Sequence, residues 1–367
     1  MEKTRVLQIL DSINVNGTEM FIMNVFRNMD HNEIMFDFLV SQRTFSAFEK
    51  EFESHGSKIY TFTRRNRGIL KHIASLKEFF RAHGKDYKVA HIHGNSFTSM
   101  MPLAEAKNHG IPIRIAHCHN TSTQGIHNRL LHNLNRFRID SIATDFFACS
   151  EAAKEWGFKG TKGFGKALVV PNGIELEKFA FNETKRSEVR KELNLGDSFV
   201  VGNVAAFRDA KNHPFMLKTF KEITRRHHNA KLMLVGAGDG MGEMKEMAKR
   251  LRMEKDVLFL GSRSDIPNLL QAMDLFLFPS KYEGLGIVAI EAQAAGLPVM
   301  TSTHVPTETA ATPLIQYLDL ATGPEEWAAK ILDKTEGNDR SLQYDGMKKF
   351  DIKTTCDLLR TVYQRSQ

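Results

Sequence analysis

Two carboxylates eight residues apart, Glu283 and Glu291, bracket a pair of glycines in the run Glu283-Gly284-Leu285-Gly286-Ile287-Val288-Ala289-Ile290-Glu291. Glu283 falls in a loop that closes an apolar strand, Leu275–Phe278. Glu291 falls one to two turns inside a helix otherwise built of Ile, Val and Ala. A carboxylate among small apolar side chains is costly to bury unless something donates hydrogen bonds to it. Between the acids, Gly284 and Gly286 let backbone approach a ligand where free N–H groups at a helix start favour an anion. Hydroxyls at either end with phosphate between them outline a nucleotide sugar.

Histidines form the second group able to do chemistry. His91 and His93 alternate along one predicted strand, and His117 and His119 along another, so each pair points to one side of an extended chain. Either pair suits a metal, but no third ligand sits at a recognisable spacing and no Asp-x-Asp occurs. No metal is therefore expected, and a neutral histidine at a sugar hydroxyl is the preferred reading. The loop Gly236-Ala237-Gly238-Asp239-Gly240-Met241 invites a dinucleotide reading but places Met241 where the third glycine belongs.

The Glu283-to-Glu291 run resembles the E-x7-E signature of the retaining GT-B glycosyltransferases of family 4, which build bacterial polysaccharides and glycolipids. The resemblance covers nearly the whole chain. It takes in Val170-Pro171-Asn172-Gly173-Ile174, Lys211-Asn212-His213, Leu234-Val235-Gly236-Ala237-Gly238 and Phe259-Leu260-Gly261. By resemblance, Glu291 takes both ribose hydroxyls of the donor and Glu283 the hydroxyls of its sugar. Gly284, Leu285 and Gly286 supply backbone N–H groups, and His119 matches the family's active-site histidine.

The same resemblance places Gly17, in the loop Asn14-Val15-Asn16-Gly17, near the donor phosphates, although the family's two adjacent glycines are here Asn16-Gly17. A plain β–α turn capped by Asn16 or Thr18 is the alternative. Where the family has Gly-Arg after the first strand of the second domain, this chain has Ala205-Ala206. Its phosphate-binding lysine is kept as Lys211, and Arg208 is the candidate replacement for the missing arginine. Backbone at Gly261 would read the nucleobase, with Arg263 stacking on it.

These residues need a scaffold. Short apolar runs alternate with helical periods from end to end, the pattern of α/β domains with parallel sheets. Strands are expected at Val6–Leu10, Met35–Val40, Lys58–Phe62, Val89–Ile92, Ile113–His117, Phe146–Cys149 and Ala167–Val170. A second set is expected at Phe199–Asn203, Lys231–Val235, Val257–Phe259, Leu275–Phe278, Pro298–Thr301 and Leu314–Tyr317. Helices are expected at Glu19–Met29, Ile69–Ala82, Phe97–Asn108, Asn128–Arg138 and Thr354–Tyr363. The turn residues Pro171-Asn172-Gly173, followed by a polar stretch to Arg190, mark a domain boundary. The expected architecture is α/β of the GT-B type, two Rossmann-like doubly wound domains facing across a cleft. They would comprise 1–171 for the acceptor and 172–350 for the nucleotide sugar, with residues 351–367 crossing back onto the first domain.

A chain of 367 residues, 42% apolar and 25% charged, has room for two cores. Three widely spaced cysteines argue against a disulfide framework and for a reducing compartment. There is no leader-like segment and no run of about twenty apolar residues, so a cytoplasmic enzyme is expected. The net charge of +7 resides entirely in residues 1–170, which hold 23 Lys/Arg against 16 Asp/Glu. An ordinary solvated face explains this, as does attraction to anionic lipid at the inner face of the plasma membrane, with Arg64, Arg65 and Arg67 as the contact. Nucleic acid is excluded as a partner, since no aromatic-interleaved basic motif occurs.

The resemblance thus implies a metal-independent, cofactor-free retaining glycosyltransferase of the hexosyl class. Its donor would be a nucleoside-diphosphate sugar, UDP-linked in preference to GDP-linked, and its acceptor a glycan or lipid-linked sugar in capsule or exopolysaccharide assembly. Glu283, Lys211 and His119 would carry the reaction. A nucleotide-sugar 2-epimerase, which shares the fold, and a catalytically silent nucleotide-sugar binder, suggested by Ala206, are the alternatives.

Overall fold

The computed structural model describes residues 3–14, 17–121, 123, 125–333, 339–340 and 344–365. The chain divides into two units, Met1–Ile174 with Asp351–Gln367, and Glu175–Phe350.

Unit 1 contains strands β1 (Thr4–Ser12), β2 (Ile34–Gln42), β3 (Ile59–Thr61), β4 (Val89–Gly94), β5 (Ile113–Cys118), β6 (Asp145–Ala148) and β7 (Leu168–Val169). They form one parallel sheet in the order β3-β2-β1-β4-β5-β6-β7. Side chains alternate across it with period two. Val6 and Leu10 enter one core with Phe21, Phe36 and Tyr363, while Leu7 and Ile9 enter the other with Leu76, Phe80 and Leu103. On the first face the central strands carry polar residues, Gln8, His91, His93 and His117, all buried.

The helix Ile352–Gln364 closes that first face, burying Ile352, Cys356, Leu359 and Tyr363. Ile352 N donates to Ile174 O at 2.9 Å, and a Cβ on Gly173 would lie 2.7 Å from Ile352 Cα. The Pro171-Asn172-Gly173 signature therefore has a physical basis, since only glycine lets the returning backbone pass this close. The helix expected from Phe97 begins at Met101 instead. Pro102 fits only a helix's first turn, and the backbone of Phe97 bonds to side chains of the helix Ile126–Arg138.

Unit 2 contains β8 (Phe199–Val204), β9 (Ala230–Val235), β10 (Val257–Gly261), β11 (Leu275–Phe278), β12 (Val299–Ser302) and β13 (Ile315–Leu318). The sheet is parallel in the order β10-β9-β8-β11-β12-β13. The polar stretch from Glu175 forms two helices, Leu176–Phe179 and Glu183–Glu192. Arg186 and Arg190 of the second are tied to Asp274. In both sheets the chain reverses its direction of travel once, between β1 and β4 and between β8 and β11. Open α/β sheets bind ligands at such a reversal, beyond the carboxyl ends of the strands.

Candidate functional site

The reversal point of unit 2 is where the donor candidates meet. Beyond β8 the chain turns through Asp209–Lys211, passes Asn212 in a left-handed conformation (φ 57°) and enters the helix His213–Arg226. Beyond the neighbouring β11 it runs from Pro279 to Gly286. Lys281 N donates to Ala210 O at 2.8 Å, Asn212 Nδ2 donates to Pro279 O at 3.1 Å, and Lys281 pairs with Asp209. So fastened, the loops bring Lys211 Nζ to 2.6 Å from Glu283 Oε1, with the carboxylate side chain only 10% exposed. The Lys211 ammonium also lies 5.6 Å from the centre of the Phe278 ring. His213 stacks on Phe207 at 4.1 Å, and burial, reinforced by the Lys211 charge, depresses its pKa to about 4.

Gly286 adopts φ 79° and caps the helix Ile287–Ala294 with no side chain to occupy the first-turn N–H groups. A Cβ there would press to 3.1 Å of Phe278. Thr309 Oγ1 donates to Leu285 O and pins the preceding residue. Glu291 sits on the fifth position of this helix between buried Ile290 and Ala292. Its carboxylate has no hydrogen-bond or ion-pair partner among the described residues. Burial pushes its pKa up to about 8. Glu291 is thus a half-buried acid beside aliphatic neighbours, with no protein partner among the described residues and with room to accept from hydroxyl donors.

The remaining donor candidates vary in what surrounds them. Arg208 is exposed, without an ion pair among the described residues, and its carbonyl accepts from Lys211 N at 3.0 Å, so the two cations share one turn. Arg263 is not a free cation: Nε and Nη2 each donate to Asp265 at 2.7 Å, and Nη2 also reaches Glu192. Gly261 O accepts from Gly236 N at 2.8 Å, and Ala237 O accepts from Phe207 N at 3.0 Å. The glycine-rich loop after β9 therefore serves backbone packing between strand ends. Gly17 opens the helix Gly17–Asn28 in unit 1 and Asn14 Nδ2 donates to Ser12 Oγ at 2.9 Å; Val15 and Asn16 of the expected loop lie outside the described residues.

Unit 1 assembles the histidines. Because β4 lies beside β5, with His93 opposite His117, two pairs that look separate in the sequence become one quartet. Ligand atoms of His91, His93 and His117 fall within 4.8 Å of one another, so the third partner that linear spacing does not supply comes from the adjacent strand. All of these nitrogens but His117 Nε2, which is buried without a partner among the described residues, already have partners. Tyr363 OH bonds His91 Nδ1 at 2.8 Å and His91 Nε2 lies 3.2 Å from His117 Nδ1. Gln8 Oε1 lies 2.7 Å from His93 Nε2, and His93 Nδ1 lies 2.9 Å from His119 Nε2. With Gln8 accepting, His93 is protonated on Nε2 and receives the Nε2 proton of His119 on Nδ1. His119 Nδ1 is then a bare acceptor, buried and without a partner among the described residues.

Burial depresses all four histidines, His119 to about 3. They are neutral at physiological pH. Gln8 and Tyr363 were not singled out by sequence reasoning, though a glutamine inside Val6-Leu7-Gln8-Ile9-Leu10 is the trace such a network leaves.

A groove of about 680 Å³ elsewhere in unit 2 is lined by Arg186, Arg190, Gly196, Phe199 and Asp274. It lies at the amino ends of β8 and β11, the wrong end of a parallel sheet for a ligand, and its arginines are committed to Asp274.

The family described as Glycosyltransferase Family 4 matches residues 15–178, and that described as Glycosyl transferases group 1 matches residues 185–338. The chain is 34% identical to EpsF of Bacillus subtilis (strain 168), named as a glycosyltransferase, over 89% of this chain and 86% of that one. It is 30% identical to a UDP-Gal:alpha-D-GlcNAc-diphosphoundecaprenol alpha-1,3-galactosyltransferase of Escherichia coli, over 65% of this chain and 64% of that one. Among solved structures, Anabaena HepE in complex with UDP and glucose superposes with a TM-score of 0.78 at 20% identity, over 97% of this chain and 98% of that one. Two parallel-sheet units, a lysine and two acids at the reversal of the second, and relatives matched over nearly the whole length lead to one assignment: the chain belongs to the family 4 glycosyltransferases of GT-B fold.

Proposed function

We propose that unit 2 binds a UDP-linked sugar and that the enzyme transfers the sugar, with retention and without a metal, to a glycan or lipid-linked acceptor in polysaccharide assembly. The observation that carries this reading is the constellation at the β8–β11 reversal. An unpartnered Glu291 carboxyl suits ribose hydroxyls, the bare N–H groups after Gly286 suit a diphosphate, and Glu283 with Lys211 suits the sugar and its leaving group. The names of relatives support UDP, since the Escherichia coli enzyme uses UDP-Gal and HepE was crystallised with UDP. The diphosphoundecaprenol in the former's name supports a lipid-linked acceptor.

In the reaction the acceptor oxygen bonds the anomeric carbon on the face from which the diphosphate departs, and a departing phosphate oxygen takes the hydroxyl proton. Lys211 and the helix N–H groups absorb the charge that grows on the leaving group. Arg208, one turn from Lys211, adds a second cation in place of the arginine absent at Ala206. His119, in unit 1, is the family-matched histidine and would meet a sugar hydroxyl of the acceptor. Closely spaced protein donors and acceptors do the work here, so no cofactor is required. The epimerase and silent-binder alternatives gain no support from relatives named as transferases.

Thermal unfolding measured against a panel of UDP- and GDP-sugars tests the reading. UDP-sugars are expected to raise Tm by several degrees in the native chain and not in Glu291→Ala. Equal protection of both proteins would place the nucleotide elsewhere.

A further inference from the structure

We propose that the solvent face of the helix Ile126–Arg138 docks on an anionic lipid bilayer. This helix is amphipathic the wrong way round for a soluble domain. Its inward face is held by polar bonds: His132 is buried, Phe97 N donates to His132 Nδ1 at 3.1 Å, and Asn135 Nδ2 donates to Phe97 O at 2.7 Å. Four of its five apolar residues point out, with Ile126 83%, Leu130 58%, Leu134 67% and Phe137 58% exposed, while Leu131 is half-buried. At 100° per residue these four fall within an arc of about 80°.

Cations line both margins of the stripe. Arg129 and Arg136 fall on one side, Arg138 on the other, and the helix contains no acid. The patch continues onto a neighbouring element. Thr98 O accepts from both Asn135 Nδ2 and Arg65 Nη1, each at 3.2 Å, which sets the start of the helix Ile69–His83 beside this one. There Ile69 and Leu70 are 47% and 78% exposed, next to exposed Arg65, Arg67 and Lys71. Six of the ten exposed large hydrophobics among the described residues lie in these two helices.

An apolar stripe between cationic margins is the form taken by helices that lie in a bilayer interface, hydrocarbon facing the acyl chains and cations facing anionic headgroups. Among the described residues no helix is long and apolar enough to cross a membrane, so the contact is peripheral. A second copy of the chain is a poorer occupant, because pairing this face with itself opposes Arg129, Arg136 and Arg138 to their own counterparts. The helix follows His119 after six residues, which puts the lipid face near a lipid-borne acceptor. That consequence rests on the transferase reading, whereas bilayer binding does not.

The test is co-flotation of the full chain with vesicles of neutral phosphatidylcholine alone or with about 30% phosphatidylglycerol. The native chain is expected to float with the anionic vesicles and to be released by high salt. Leu130→Glu with Leu134→Glu is expected to lower the bound fraction at least tenfold, while protection by UDP against thermal unfolding persists. Should that variant fail to fold, Arg129→Gln with Arg138→Gln decides by a loss of several-fold on anionic vesicles. Absence of flotation at low salt, or flotation unaltered by the substitutions, would overturn the proposal. So would light scattering that shows a lipid-indifferent dimer broken by Leu130→Glu with Leu134→Glu. A chain that floats yet ignores every UDP-sugar would keep this proposal and discard the donor reading.

Discussion

Lys211 and Glu283, 72 residues apart in the chain, hold one another at 2.6 Å across the ends of two adjacent strands. Each neutralises the other while the site is without ligand, which lowers the cost of keeping two charges half out of water. A donor that bonds Glu283 through hydroxyls and Lys211 through phosphate replaces one partner with another and leaves neither charge exposed.

The pair yields the first prediction. On the proposed reading, Lys211→Ala removes the cation that would meet the leaving group; it also strands the Glu283 carboxylate. The expected loss in kcat/KM for the donor is about 10²–10³-fold, equivalent to roughly 3–4 kcal/mol. Steady-state rates at sub-saturating donor check it, and an undiminished rate would remove Lys211 from the reaction. Arg208→Ala should cost less, about tenfold, because that guanidinium is exposed and solvent-screened.

Glu291 yields a pH dependence. Its pKa in the folded chain, about 8, lies above the value near 4.5 it has when unfolded. Its contribution to stability is therefore complete below pH 4.5 and is lost as pH rises toward 8. In the proposed site ribose hydroxyls would donate to the carboxylate, so ligand binding should run the opposite way. UDP affinity should climb by up to about tenfold per pH unit on the approach to pH 8 and then level off. Calorimetric titration at several pH values measures this, and Glu291→Gln should flatten the curve and weaken binding by about 2–3 kcal/mol.

The histidine quartet predicts acid lability. His91, His93, His117 and His119 are held neutral, so their contribution to stability is present above the ordinary histidine value near 6.5 and drains away as pH falls below it. Each adds about 1.4 kcal/mol per pH unit to the slope. Tm should drop steeply between pH 6.5 and 5, and the His91→Asn, His117→Asn double variant should halve that slope. A parallel decline in both proteins would exclude the quartet as the cause. Activity, by contrast, should show no inflection from His119 in this range.

Tyr363 ties the closing helix to the quartet through His91. Tyr363→Phe leaves His91 Nδ1 without a donor and should destabilise unit 1 by about 1–2 kcal/mol; Tyr363→Ala should cost about 3–5 kcal/mol. Hydrogen exchange should quicken in β1 and β4 and stay unchanged in β8 and β11.

Much of the fold is legible in one sequence because the signals are local. Leu275–Phe278 reads as a strand since four consecutive apolar residues suit a parallel sheet buried on both faces. Glu283 and Glu291 announce themselves by short-range contrast with glycine and aliphatic neighbours. What sequence cannot supply is adjacency. The Lys211–Glu283 bond depends on β8 lying beside β11, and the quartet on β4 lying beside β5. The same limit applies to Ile126–Arg138, whose apolar period reads equally as a core face until the fold places His132 inside and Leu134 outside. Arg263 looks free in the sequence because nothing local says that Asp265 folds back to hold its Nε–Nη2 edge.

The return of Ile352–Gln364 to the first unit has a consequence during synthesis. All of residues 175–350 must leave the ribosome before the last piece of the first core exists. At about 5–20 residues per second that interval lasts roughly 10–35 s. For its duration the second unit can complete itself, while the pocket destined for Tyr363 stands open to chaperones or neighbouring nascent chains. A translational stall beyond residue 350 would thus orphan the unit made first and spare the one made second.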